Sequence, residues 1–361
     1  MNAALRTLLT AAQRAPSGDN TQPWRFAVDE AAGRIELILD PSRDPSPMNA
    51  GQRMARLAIG AALENMLHTA AHHGWEVCCN MPEHSRALAE VRLVNTESAP
   101  GAMAPFVAAR VTNRRPYDAR PLPSDVTARL LAATPKLHGI GTHWLADRQR
   151  LADLAVLIGR ADAVMFGDAD MRRAFLANVR FDCPAGEPVD FGLSLDSLEL
   201  SAGDRLALRC LRGLPNWAVR LGGSARLFAA HGQRLAASAS GLCLLAAPDS
   251  RGNTDVLVGR ALQRAWLALT AEGLAVQPMM SLLVLESVAE HDELCAKMRL
   301  NPEELAELRH QLRALVPEIG TQRPAFLLRF GYAPPPRGRT GRLPLAAVTT
   351  EAACRELLAA R

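Results

Sequence analysis

The chain has 361 residues, 48% of them apolar, and a formal net charge of +4 at pH 7. That length suits two domains or one large one, and the apolar content supplies a real core, which excludes a disordered chain. The positive charge is almost all arginine, with lysine only at Lys136 and Lys297, and it forms no basic stripe interleaved with aromatics, so nucleic acid is not an expected partner.

Leu5, Leu8, Leu9 and Ala12 recur at helical spacing and predict a helix over 3–14 that Pro16 ends. A polar turn, PSGDNTQPW (16–24), follows. FAVDEAAGRIELILD reads as a hairpin whose second strand alternates Ile35, Leu37 and Leu39. After a Pro/Ser/Asp loop over 40–49 comes a long helix, 52–72, apolar on most of its sides and therefore buried in a core or an interface. Residues 87–95 supply a strand. The segment from 105 to 133 gives a short helix, an Arg-rich turn and a helix that Ser124 would cap. Residues 171–226 are the least regular. A strand at 240–247 and a second long helix at 258–276 come next, while SLLVLES (281–287) fits either strand or helix. The last segment, from 324, is a strand that runs into a Pro-rich tail.

The two halves echo one another. LLTAAQRAPSGDNTQPWRF (8–26) aligns with LLAATPKLHGIGTHWLA (130–146) after two deletions, and GAALENMLHTAAHHGWEV (60–77) resembles GRALQRAWLALTAEGLAV (259–276). This predicts two α+β units packed through their long helices.

Seven cysteines without a CxxC pair or metal spacing read as reduced thiols. No apolar run reaches the roughly 18 residues that span a bilayer, and the N-terminal segment has no signal-peptide pattern. The expectation is a cytoplasmic protein. His68 and His72 stand at i and i+4, but no HExxH glutamate accompanies them, so packing or surface roles are expected rather than a metal. GIGTHW is a lone GxG and not a dinucleotide fingerprint.

Read alone, PSGDNTQPW is either an Asx-type turn or a loop for the polar edge of a planar ligand, with Ser17 and Asn20 as donors and acceptors. The pattern A-P-S-x-x-N-x-Q-P-W-x-F resembles the flavin loop of the nitroreductase family, the FMN-dependent oxidoreductases with an α+β dimer fold. A second family element, R-x-[ST]-x-[RK] before an aromatic and a PxP, is matched by RVTNRRPYDARPLP with Arg110, Thr112 and Arg114. A third is matched by RGRTGRLPL, where Arg342 takes the better-defined basic position and its companion position falls on Thr340, with Arg339 or Arg337 as substitutes. The bland reading of such arginines is a solvated surface, and Arg115, Arg120 and Arg337 are read so.

The resemblance implies one FMN bound non-covalently by Pro16, Ser17 and Asn20 from the first half and by Arg110, Thr112, Arg114 and Arg342 from the second. A phosphate dianion and an N1/C2 edge that turns anionic on reduction both need fixed cations. It also implies that Gln277, Met279 and Met280 run along the flavin's reactive edge. Pro278 cannot donate, so the N–H of Met279 or Met280 would reach N5, although both methionines also read as core filler.

In the family the Arg turn precedes PSxxNxQPW in one chain, and two chains make two sites. Here the fifteen residues before Pro16 are too few for that turn, and the sequence after Arg114 has lost the Ser, Asn and Gln. Halves 1–103 and 104–361 would thus form an intramolecular pseudo-dimer with a single complete pocket. That resembles the single-chain, duplicated Acg-like branch, whose members are associated with a lid over the flavin. Residues 171–226 would supply the lid here.

The implied activity is hydride transfer from NAD(P)H to a small-molecule acceptor (a nitroaromatic, quinone or enone), with no obligatory catalytic side chain, in a monomer or a homodimer. The alternative is a flavin-sequestering storage protein with little turnover. A partner-binding scaffold without flavin is a third reading.

Overall fold

The computed structural model describes residues 1–82, 85–95, 103–134, 137–184, 186–214, 223–248, 252–298 and 300–351. Helix α1 (Ala3–Gln13) starts where the Asn2 side chain accepts from Ala4 N–H at 2.8 Å, and it buries Leu5, Leu8 and Leu9 as their spacing predicts. Strands β1 (Trp24–Asp29) and β2 (Arg34–Leu39) form the expected antiparallel hairpin. Helix α2 (Arg53–His72) follows, and then strands β3 (Glu76–Asn80) and β4 (Ala87–Asn95). Strand β3 is unexpected from the sequence. It lies at a sheet edge with four of its five residues exposed, so no apolar alternation marks it.

The second half contains α3 (Ala104–Ala109), α4 (Ser124–Ala133), β5 (Gly141–Leu145) and α5 (Arg148–Gly167), followed by α6 (Ala169–Ala177), β6 (Val179–Arg180) and β7 (Leu193–Ser194). Helices α7 (Ala202–Gly213) and α8 (Ser224–Ala237), strand β8 (Gly241–Ala247), helix α9 (Gly252–Ala271) and strand β9 (Ala275–Pro278) continue it. Helices α10 (Ser281–Ala289), α11 (Asp292–Lys297) and α12 (Pro302–Leu315) precede β10 (Arg323–Gly331), α13 (Leu345–Val348) and β11 (Thr349–Glu351).

Four expectations change. Ser124 opens α4 but does not cap it: Pro123 holds the cap position and no side chain caps that end. The second long helix stops at Ala271, because Gly273 turns the chain at φ +68° into β9. SLLVLES is helical, and its missing periodicity follows from burial of seven of the nine α10 residues. Residues 171–226 are more regular than expected, with α6, α7 and the start of α8 joined by loops that β6 and β7 pin in parallel; residues 185 and 215–222 lie outside the described set.

The two sheets share one topology. Strands run β1-β2-β4-β3 in the first and β5-β8-β10-β9 in the second, and every neighbouring pair is antiparallel. The first core gathers Leu8 and Leu9 from α1, the fully buried rings of Trp24 and Phe26, and Ile59 and Leu63 from α2. In the second half β8 is buried on both faces: Leu242, Leu244 and Ala246 face the α5, α10 and α12 side, while Cys243, Leu245 and Ala247 face α9. That two-sided burial is why SGLCLLAA reads as one apolar run.

Helices α2 and α9 pack directly against each other, and their contacts are reciprocal. A Cβ on Gly60 would lie 1.9 Å from Val256 O, and a Cβ on Gly259 would lie 2.0 Å from Leu57 O. Gln263 Nε2 donates to Asn65 Oδ1 at 2.6 Å, and its mirror contact is Arg264 on Glu64. Residue i meeting j while the counterpart of j meets the counterpart of i is the mark of a two-fold interface. The chain is therefore an α+β protein whose two units pack as an intramolecular pseudo-dimer. The halves also interlock, since β11 from the chain's last segment pairs parallel with β1 and extends the first sheet.

Candidate functional site

A cavity of about 600 Å³ lies between the halves, walled by the loop after α1, the start of α2, the turn after α3, the β9–α10 junction and residues 338–342. Ligand pockets commonly have this size. Pro16, Ser17, Asn20, Arg110, Thr112, Arg114, Gln277, Met279, Met280 and Arg342 all line it. Trp24 does not; its ring is core.

The PSGDN loop is held in an uncommon backbone. Asp19 (φ 44°), Asn20 (φ 59°) and Gln22 (φ 52°) all occupy the left-handed region, which costs of order 1–3 kcal/mol where the surroundings must enforce it. Gln22, wholly buried, does much of the enforcing. Its N–H donates to Ser17 Oγ at 3.0 Å, its amide donates to the carbonyls of Asn20 and Asp190, and its Oε1 accepts from Leu343 N–H at 3.0 Å. The quoted motif includes Gln22, but its role depends on partners more than 160 residues away.

One end of the cavity is basic. Arg14, Arg110, Arg339 and Arg342 all line it, and mutual repulsion reinforces burial in pushing the pKa of Arg110 well below the ordinary arginine value. Burial, then Arg14 and Arg339, push Arg342 down to about 10. Among the described residues no carboxylate ion-pairs with these four. Arg110 lies 4.7 Å above the Trp266 ring and donates to Arg14 O at 2.8 Å, while its Nε is buried with no hydrogen-bond partner. Arg342 donates to Gln13 O, Ala15 O and Asn20 Oδ1 at 2.8, 2.9 and 3.0 Å. Arg339, one of the two substitutes named for Thr340, donates to Ala108 O and Ala109 O, whereas Arg337 turns away to Glu199. Arg14 and Trp266 are not evident from the sequence, because nothing local distinguishes them from a helix-end arginine and a core aromatic.

Across the cavity a segment over 186–200 lies on these elements. Asn20 Nδ2 donates to Gly192 O at 3.2 Å, Arg114 Nη1 donates to Ser197 O at 2.7 Å, and Asn178 Nδ2 donates to Asp19 Oδ2 at 3.3 Å. Glu199 accepts from Arg115 Nε at 2.7 Å and from the Arg337 backbone. Leu193, Ser197, Leu198 and Leu200 from this segment, with Leu208 of α7, line the cavity from that side.

Three carboxyl groups also line the cavity, and all are pushed up chiefly by burial: Asp19, Asp44 to about 7 and Asp162 to about 7. Gln277 Oε1 accepts from Arg329 Nε at 2.8 Å. Met279 N–H donates to Leu327 O at 2.9 Å, so that donor is spent within the sheet, and Met280, at the N-terminal edge of α10, is the remaining candidate. His68 meets Glu64 at 3.4 Å. Among the described residues no group of three His, Cys, Asp or Glu side chains is placed to hold a metal, and no helix is long and apolar enough to cross a membrane.

Fold and site together define a two-unit α+β protein with one arginine-ended cavity between its units. The chain is 28% identical over 342 residues to an uncharacterized protein of Mycobacterium tuberculosis (strain CDC 1551), covering 90% of this chain and 45% of that protein. It is 29% identical over 192 residues to a protein of Mycobacterium tuberculosis (strain H37Rv) provisionally named NAD(P)H nitroreductase Rv3131, covering 51% of this chain and 54% of that one. The chain thus spans about half the length of the relatives it matches. No family model matches it. A solved structure of the FMN-dependent nitroreductase NfnB from Mycobacterium smegmatis, in complex with NADPH, aligns at 18% identity with a TM-score of 0.37, over 68% of this chain and 96% of that one. Over about half its length the chain is thus similar to proteins provisionally named NAD(P)H nitroreductases.

Proposed function

We propose that the chain binds one FMN non-covalently between its halves and that it is an oxidoreductase passing hydride from NAD(P)H to a small organic acceptor such as a nitroaromatic, a quinone or an enone. The observation that carries this is the convergence of Arg14, Arg110, Arg339 and Arg342 without a carboxylate, with Arg110 Nε buried and unpartnered. Four mutually repelling cations are strongly favoured by an anion opposite them, and a phosphate dianion suits their charge. The cavity running from them has room for a planar ring system.

FMN, when bound, would supply the hydride chemistry. The protein would supply position and charge. Arg110, Arg339 and Arg342 would neutralise the phosphate, Thr112 would offer a hydroxyl, and Arg114 would hold a fixed cation for the edge that turns anionic. Pro16, Ser17 and Asn20 would close the site from the other half, and Met280 N–H, at the positive end of α10, would be the backbone donor. The complementary placement of these parts supports a tandem duplication in which one of two ancestral pockets was kept.

The test is anaerobic addition of NADPH, then NADH, to the yellow protein while its visible band is followed. Rapid bleaching is expected. A protein that stays colourless even after incubation with FMN would overturn the cofactor assignment.

The overlying segment favours a second reading, storage. Asn20, Gln22 and Arg114 are bonded to carbonyls of residues 190–197, so nicotinamide reaches the ring only if that segment moves. A band that persists with NADPH yet bleaches with dithionite would favour it. Glu199→Ala removes the anchor shared by Arg115 and Arg337 and should raise the rate of NADPH reduction about tenfold or more. An unchanged rate would remove the segment as a barrier.

A further inference from the structure

The end of the cavity away from the arginines is apolar and aromatic. Phe166 of α5 stacks on Phe228 of α8 with centroids 4.3 Å apart and planes 18° apart, and it meets Phe175 of α6 edge-on at 5.4 Å. All three rings line the cavity. Asp162 stands among them, one turn before Phe166 on α5, and is buried. Its Oδ2 occupies the space beside Gly232: a Cβ there would lie 1.7 Å away, so only glycine lets α8 approach this carboxyl.

Several other buried or largely buried carboxylates meet a guanidinium, although Asp44, also on the cavity wall, has only Thr21 and Ser46 as hydrogen-bond donors among the described residues. Glu64 has Arg260 at 2.8 Å, Asp255 has Arg323 at 2.6 Å and Glu286 has Arg309 at 3.3 Å. Asp162 has no ion-pair partner among the described residues, and the Ser281 side chain, at the start of α10, is its hydrogen-bonding neighbour. Around it α8 presents Gly232 and, on the same cavity wall, His231, whose pKa burial and then Arg234 push down; α6 presents Phe175. Burial pushes this carboxyl up to about 7, so below neutral pH most of it is the neutral acid with one O–H donor.

We propose that this end of the cavity is the acceptor compartment, that it takes an uncharged aromatic or quinoid molecule, and that Asp162, as the neutral acid, donates its hydrogen bond to that molecule's carbonyl oxygen and passes it the proton. The proposal deepens the flavin reading and rests on it for the electron pair. The electron pair would come from NAD(P)H as a hydride, leaving NAD(P)⁺, bound FMN would supply the hydride chemistry, and the acceptor would gain the hydride. The Asp162 O–H bond breaks, its proton goes to the acceptor oxygen, and the carboxylate is reprotonated from water. For a quinone, one hydride and one proton give the hydroquinone.

The test titrates oxidised holoprotein with 1,4-naphthoquinone in the absence of NADPH, following tryptophan fluorescence and recording FMN content on the same samples. Because burial pushes Asp162 up to about 7, only the protonated fraction binds well, and affinity should fall about thirtyfold between pH 6 and 8.5. Asp162→Asn keeps a donor of the same size but cannot pass a proton. It should bind without that pH dependence and lose about a hundredfold in kcat for quinone reduction with KM little changed. Gly232→Ala, which displaces the carboxyl, should lose both the binding and its pH dependence.

Equal binding and equal pH dependence in wild type and Asp162→Asn would overturn the proposal. So would tighter binding of 1-naphthylmethylammonium, strengthening as pH rises, since Asp162 would then be a carboxylate anchor for cations. A protein that takes up no FMN overturns the flavin reading instead, while the quinone titration still reports on Asp162.

Discussion

Gly60→Ala and Gly259→Ala are each expected to lower the stability of the protein by about 3 kcal/mol or more. Alanine is the better helix former, and on propensity alone either change would stabilise a helix interior by up to about 1 kcal/mol. Packing reverses the sign. The new methyl would lie 1.9 Å from Val256 O in one case and 2.0 Å from Leu57 O in the other, and the next atoms met are also backbone. No rotamer change relieves a clash with a carbonyl, so the two long helices must move apart. That separation strains the buried Gln263–Asn65 bond and the Glu64–Arg260 pair, both formed across the same interface. Breaking one buried pair can itself cost about 3–5 kcal/mol. Because the contacts are reciprocal, the two losses should be similar, and the double variant should lose less than their sum, since one separation accommodates both methyls. Guanidinium unfolding at equilibrium measures this. A midpoint that is unchanged or raised for either single variant would refute the close-contact account.

Arg110→Met is expected to weaken FMN binding by at least a hundredfold while leaving the flavin-free protein as stable as before, or more so. Methionine keeps an apolar stem against Trp266 but removes the charge. In the flavin-free state that charge is a burden: burial comes first, and then Arg342, Arg339 and Arg14 disfavour it, with no anion to offset them. A depressed arginine pKa means that the folded state holds the proton less tightly than the unfolded chain does, so the charged form opposes folding. Bound phosphate reverses the balance, since each charge-assisted hydrogen bond contributes about 1.5–3 kcal/mol. Equilibrium dialysis with FMN and thermal unfolding of the flavin-free protein read the two effects separately. Stoichiometric FMN retained by Arg110→Met would remove it from the phosphate site, and a large loss of flavin-free stability would show that it is structural.

Much of the fold is legible locally. The spacing of Leu5, Leu8 and Leu9 marks α1, the alternation of Ile35 and Leu37 marks β2, and the all-round apolar surface of 52–72 marks α2 as an interface helix. The echo between 60–77 and 259–276 announced two like units, because helices that pack on each other through glycine must both carry the small residue at matched places. What failed locally failed for stated reasons. Edge strand β3 is exposed and so lacks a pattern, α10 is buried on nearly all sides and so lacks a period, and β9 hides behind the end of a helix that only Gly273 terminates.

The site divides in the same way. Short local motifs nominated Pro16, Ser17, Asn20, Arg110, Thr112, Arg114, Gln277, Met279, Met280 and Arg342 through their resemblance to the nitroreductase family, and such motifs are readable because a loop or turn keeps its functional groups within a few residues of one another. That they share one cavity was decided by the packing of α2 on α9 and by the return of the chain's last segment to β1. Tertiary structure alone brought Arg14 to the same end, chose Arg339 over Arg337 there, set Trp266 under Arg110, spent the Met279 N–H on Leu327 and left Asp162 without a cation among the described residues. A guanidinium, a ring or a carboxyl acquires its electrostatic meaning from what faces it across space, and neighbours in the chain do not determine that.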